Sequence, residues 1–183
     1  MHPAFLYLPG GRLAVSELSA ARLDGHVVEL GEGYIPADLV ESPAARASAI
    51  AALIPADTAA SGPTSAWIHG AGDAPPPIHH VRRAVARRIR PALTARVRFH
   101  DTALPGDAVV QLGGIAVMTP VRTMVDLALG LYRDESLRRW MLLLAAVDDT
   151  LVVEAAAAMS TLSRVPGTRA GRGALERLMV RRR

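Results

Sequence analysis

The chain contains no cysteine and no lysine. Without cysteine, disulfides, thiolate metal sites and cysteine nucleophiles are excluded. Without lysine, so are the P-loop lysine, Schiff-base chemistry, lysine general bases and the acid–acid–lysine constellation of many nucleases. Aromatic residues make up only 4%, so the core must be mainly aliphatic, with Phe5, Trp67, Phe99 and Trp140 as its few large pieces. Long apolar runs are also missing. No stretch reaches the roughly 18 uninterrupted apolar residues of a membrane-spanning helix, and the N-terminus has no basic region followed by a hydrophobic one. A soluble cytoplasmic protein without a membrane partner is expected.

What is present is 183 residues, half of them hydrophobic, with a net charge of +4 carried on arginine. That length suits one domain with a sizeable core, or a domain with a small appendage. The charge is compatible with a nucleic-acid or an acidic protein partner.

The most informative stretch is Gly113–Leu131. Gly113-Gly114 breaks the backbone before Ile115–Met118, a run short and β-branched enough for a strand. Thr119 is placed to cap a helix, with Pro120 at the first helical position. Val121, Met124, Val125 and Ala128 then repeat at helical spacing, so one face of that helix should be buried. Arg122 and Asp126 are four residues apart on another face.

Upstream, Ser16–Leu23 reads as a short helix capped by Ser16, and Val27–Leu30 with Tyr34–Pro36 as a hairpin around Gly31-Glu32-Gly33. A helix followed by a hairpin is the second half of a winged-helix module. It is either a DNA-binding element or an accessory subdomain, and Glu29 and Glu32 in the wing favour the second. Asp38–Ser42 is a linker, Pro43–Ile54 a helix, Asp57–Gly62 a loop, and Pro63–Gly70 a short helix capped by Thr64 or Ser65. Ile78–Val81 and Arg96–His100 are strands. Strict alternation in the latter turns Val97 and Phe99 inward and sends Arg96, Arg98 and His100 to the other face. Val109–Leu112 is a strand as well. Downstream, Asp134–Val147 and Leu151–Ser163 are helices, Pro166–Gly173 is a flexible turn, and Ala174–Val180 is a last helix. Arg181–Arg183 stand against its carbonyl end. Exposed pairs Asp134–Arg138 and Glu135–Arg139 are expected on the first of these helices. The fold class is α+β: a reduced winged-helix-like element over 1–40, then a domain over 41–183 with a mixed sheet (78–118) and a helical tail (119–183).

Trp67-Ile68-His69-Gly70, the strand ending Arg98-Phe99-His100, and Gly113-Gly114-Ile115 through Thr119-Pro120-Val121-Arg122-Thr123-Met124-Val125-Asp126 together resemble the actinobacterial AbiEi-like antitoxins. These are the antitoxin and autorepressor of type IV toxin–antitoxin systems. The resemblance covers roughly residues 60–130. It implies an N-terminal winged helix acting as a transcriptional regulator of its own operon, and a C-terminal domain opposing a nucleotidyltransferase-like toxin. The family's N-terminal module is longer and its wing basic, whereas a helix and an acidic hairpin stand here.

Among candidate sites, Arg122 and Asp126 read as a structural ion pair at the strand-to-helix corner rather than as catalytic groups. His69, at a helix end with Gly70, suits terminal carbonyls better than a metal. His79 and His80 are adjacent on a strand, so they point to opposite faces and cannot chelate one ion together. Ser16, Ser65 and Ser160 lack the glycine-flanked context of a nucleophile elbow. No catalytic residue, metal or cofactor is expected. The arginines Arg82, Arg83, Arg87, Arg88, Arg90, Arg96 and Arg98 are either a solvated face or one surface for phosphate backbone (operator DNA) or an acidic partner. No aromatic residue is interleaved between Arg82 and Arg90, so binding to nucleic acid would be electrostatic and salt-dependent. The functional expectation is a non-enzymatic antitoxin-like regulator acting by binding. The alternatives are a nuclease remnant with Asp101, Asp107 and Asp126 around a divalent ion, or an interaction module that does not bind DNA.

Overall fold

The structure, a computed structural model, describes residues 5–162 and 165–180. Two glycines decide how its main sheet turns back on itself. Gly113 and Gly114 adopt φ of 55° and 87°, left-handed values that glycine reaches without a Cβ clash. They join β6 (Val109–Leu112) to β7 (Ile115–Met118) as a tight hairpin with Leu112 opposite Ile115. Thr119 then caps α4 (Pro120–Gly130), its hydroxyl accepting from Arg122 N at 3.4 Å with Pro120 at the helix start. Met124, Val125 and Ala128 are buried, as the helical spacing predicts; Val121 is only half-buried, and Leu127 joins the buried face.

The sheet has five strands in the order β5-β4-β3-β7-β6, with β3 (Thr58–Ala60) at its centre, β4 (His79–Arg83) and β5 (Val97–Ala103) on one side and the hairpin on the other. It is mixed: β3 runs parallel to β7 and antiparallel to β4, while β4 and β5 are parallel. The central strand is a correction, because Asp57–Gly62 reads as a loop. Three residues, two of them alanine and only Thr58 β-branched, carry no alternation, and tertiary pairing makes them a strand.

Cross-strand register sorts the sheet residues into rows. Val117, Ala60, Val81 and Phe99 are successive partners across four strands; the first three are fully buried. Val117 and Ala60 share a core with Trp67, Ile50, Leu30 and Ile35. One residue earlier or later along each strand, Ala116, Ala59, Arg82 and His100 form the matching row on the opposite face.

Helices close both sides. α2 (Pro43–Ala49) is capped by Ser42, whose hydroxyl accepts from Ala45 N at 3.2 Å. It continues as a 3-10 turn, Ala51–Leu53. α3 (Gly62–Ile68), α5 (Leu137–Val147), α6 (Thr150–Ser160) and α7 (Thr168–Val180) pack with α4 around a second core of Met124, Leu127, Met141, Leu144, Met159 and Leu175. The helical tail therefore supplies most of this second core. α7 starts six residues before the expected Ala174, because Gly171 lets it approach α4: a Cβ there would lie 2.9 Å from the Ala128 oxygen. Glycine in this helix marks close packing where a flexible turn was expected. The expected Arg181–Arg183 tail, and Ser163 at the end of the preceding helix, lie outside the described residues.

At the front, α1 (Val15–Leu23) precedes the hairpin of β1 (Val27–Leu30) and β2 (Gly33–Pro36). The cap of α1 is not Ser16. The helix starts after Ala14, whose N–H donates to the Glu17 carboxylate at 2.7 Å. Leu30 and Ile35 bury the inner face of the hairpin in the core beside α2. Thr64 and Ser65 do not cap α3 either: Thr64 accepts from His80 N at 2.8 Å, and Ser65 joins the corner described below. Arg46, buried on α2, bonds Glu41 and the carbonyls of Trp67 and Gly72, both at 2.8 Å, with its guanidinium 5.3 Å from the Trp67 ring centre.

Gly113 has a second constraint beyond its φ. A Cβ there would overlap the Ala44 carbonyl oxygen and stand 2.5 Å from Ser48 N. Gly113→Ala is expected to lower unfolding stability by at least about 2 kcal/mol, strain and overpacking combined. Urea denaturation showing a loss below half of that would contradict the close approach.

Candidate functional site

Between the β4–β5 half of the sheet and α4 lies a cleft of about 610 Å³. The parallel pairing of β4 and β5 sets His80 beside Arg98 and Arg82 beside His100, so two strands present two histidines and two arginines on one face. A register shift after Arg82, where Arg83 pairs with Ala103, bulges β5. Bulges of this kind re-aim neighbouring side chains, and Thr102 also lines the cleft. From α4 come Arg122 and Asp126, one turn apart, and from the segment before α5 come Tyr132, Arg133 and Asp134.

A buried polar knot fixes the corner that carries Arg122. Ser65 Oγ lies 3.1 Å from the Met118 oxygen and 2.7 Å from Thr123 Oγ1, which in turn lies 2.8 Å from the Thr119 oxygen. Each hydroxyl has one proton, so the three contacts are shared between two donor arrangements. His69 Nε2 stands 2.7 Å from the same Met118 oxygen. A carbonyl only accepts, so the ring carries its proton on Nε2. Burial lowers the His69 pKa, while the Met118 bond raises it. His69 thus serves the end of β7 instead of the carbonyls of its own helix. Gly70 ends that helix at φ 105°, and Trp67 is fully buried.

Asp126 forms its ion pair with Arg82 across the cleft, and the expected Arg122–Asp126 pair is absent. The sheet guanidinium reaches the carboxylate from the opposite wall, and Arg122 Nε is buried without a partner. Asp134 accepts from Ser136 N at 3.0 Å and Ser136 Oγ at 2.6 Å, instead of pairing with Arg138. Arg138 pairs with Glu135, in place of the expected Glu135–Arg139 contact.

The arginines do not gather on one surface. Arg82 and Arg98 line the cleft. Arg83 points elsewhere, 3.0 Å from Asp101. Arg87 pairs with Asp57, and Arg88 and Arg90 border a separate hollow with Asp101. Arg96 makes a two-pronged bond to Glu32 at 2.6 and 2.7 Å; this ties the N-terminal hairpin to the sheet and lowers the Glu32 pKa. Five arginines in nine residues therefore serve several faces, because part of the run is a strand and the rest a loop. Arg133 and Tyr132 were missed. His80 was weighed only as a metal ligand, although its alternation with Arg82, like that of Arg98 with His100, already puts the two on one face.

His80 and His100 stack, ring centres 5.2 Å apart, with His80 Nδ1 3.2 Å from His100 Nε2. Burial, then the fields of His100 and Arg98, push the His80 pKa down to about 4. Burial foremost, aided by Arg82 and Arg98 against Asp126, lowers His100. Both rings are neutral near pH 7. Among the described residues, no three His, Cys, Asp or Glu side chains gather as a metal site. Asp101 and Asp126 are held by different arginines, and Asp107 lies in the 3-10 turn before β6.

A depressed histidine pKa has a definite sign. Between pH 6.5 and about 4 the unfolded chain binds a proton at His80 that the folded chain refuses, so stability falls as the pH drops through that window. His69, His79 and His100 shift the same way. His80→Gln should therefore lose less stability than the wild type between pH 7 and 5, read as urea midpoints. An equal loss in both would contradict the burial of His80.

The family model described as the AbiEi antitoxin C-terminal domain matches residues 58–175, from the central strand into α7. No curated protein matches the chain. No helix among the described residues is long and apolar enough to cross a membrane.

Proposed function

The chain belongs to the AbiEi antitoxin C-terminal domain family, and on that premise we propose that it is the antitoxin of a type IV system, acting in the cytoplasm by binding and not by transforming a substrate. The observation that carries this reading is the extent of the match: residues 58–175 include all five strands of the main sheet, helices α3 to α6 and the first half of α7. An antitoxin-type role implies a toxin, and the reading takes this to be a nucleotidyltransferase-like enzyme.

Autorepression through operator DNA is the second part of the proposal. The loop arginines Arg88 and Arg90, without a carboxylate in ion-pair contact among the described residues, suit phosphate backbone. Arg96 is withdrawn from that set by Glu32. The inner face of the N-terminal hairpin is also withdrawn, since Leu30 and Ile35 are buried.

Two measurements test the two parts. Co-expression with a nucleotidyltransferase-like toxin encoded beside it should restore growth to cells the toxin arrests; continued arrest with the antitoxin abundant and folded would overturn the antitoxin reading. In a promoter-DNA shift assay, affinity should fall steeply with salt, and Arg88→Ala/Arg90→Ala should lower the salt slope by about 1 to 2. No shift at low salt would remove autorepression and leave the antitoxin role standing.

A further inference from the structure

We propose that the cleft between β4–β5 and α4 is a binding site for a phosphate ester of nucleotide size. Four guanidiniums line it, those of Arg82, Arg98, Arg122 and Arg133, against the carboxylates of Asp126 and Asp134. Asp126 is taken by Arg82, and Asp134 accepts from Ser136. Among the described residues, Arg98, Arg122 and Arg133 have no carboxylate in ion-pair contact. Four guanidiniums against two carboxylates, with Arg98 in the field of Asp134, leave the hollow net positive, which favours an anion that accepts several hydrogen bonds at once; a phosphate does so and a single carboxylate does less well.

The remaining walls say what the phosphate is attached to. Pro63, Leu129, Leu137 and Tyr132 make one end of the cleft apolar, and the Arg133 guanidinium lies 4.7 Å from the Tyr132 ring centre. That end suits a planar ring. His80 and His100, uncharged near neutral pH, offer hydrogen bonds to hydroxyls or ring atoms without adding charge. A volume of about 610 Å³ holds one nucleotide. A duplex backbone needs an extended surface and is the other outcome of the test. The supports are rigid: two strands fixed in register and a helix whose first turn is held by the corner knot, so little ordering is required on binding.

This site does not depend on toxin antagonism, and its failure would leave that reading intact. The test is calorimetric titration of the full chain with AMP, ATP, inorganic phosphate and a short DNA duplex, for the wild type and for Arg98→Gln and Arg133→Gln. Circular dichroism melting confirms that each variant is folded. AMP or ATP should bind more tightly than inorganic phosphate, and each variant should weaken nucleotide binding about tenfold, the loss of one charge-assisted contact. The proposal is overturned by no nucleotide binding at millimolar concentration, by binding that both folded variants retain in full, or by duplex binding at this site that nucleotides do not displace.

Discussion

The Met118 carbonyl is the point on which the two halves of the molecule depend. It ends β7, and it is bonded from α3 by Ser65 and from the C-terminus of that helix by His69. Thr123, one turn into α4, closes the knot through Ser65. Ser65 and Thr123 are fully buried and His69 partly so. A buried network is costly unless it is satisfied, so this arrangement tolerates only one angle between strand and helix. That angle sets the first turn of α4 and hence Arg122, with Asp126 one turn on, against the sheet face carrying Arg82 and Arg98.

How much of this was legible depends on whether the signal was local. The strand-to-helix segment was, because a double glycine, a capping threonine and Pro120 are each decided by their nearest neighbours. The acidic hairpin was legible for the same reason. The central strand was not: Thr58–Ala60 owes its conformation to His79–Arg83 on one side and Ile115–Met118 on the other, and neither is visible in three small residues. Helix α7 was cut short because Gly171 and Gly173 read as breakers when Gly171 lies where α7 meets α4.

The basic side chains teach the same lesson about function. Spacing alone makes Arg82 to Arg98 look like one patch, and it makes Arg122 and Asp126 look like a pair. In three dimensions Asp126 is reached by Arg82 from another element, Arg96 is neutralised by Glu32, and Arg83 turns to Asp101. What converges instead is a set drawn from β4, β5, α4 and the segment before α5. Helix and strand alternation place the members within each element, but only the register between β4 and β5 and the corner at Met118 bring the elements together.

The scaffold therefore fixes its guanidiniums before any partner arrives. The most direct measurement is a double-mutant cycle on Ser65→Ala and Thr123→Val, read by urea denaturation. The account predicts a coupling of about 1 kcal/mol or more between the two hydroxyls, as expected of contacting groups in one network. Changes that add to within about 0.3 kcal/mol would show that α3 and α4 are not tied through this knot, and would contradict it.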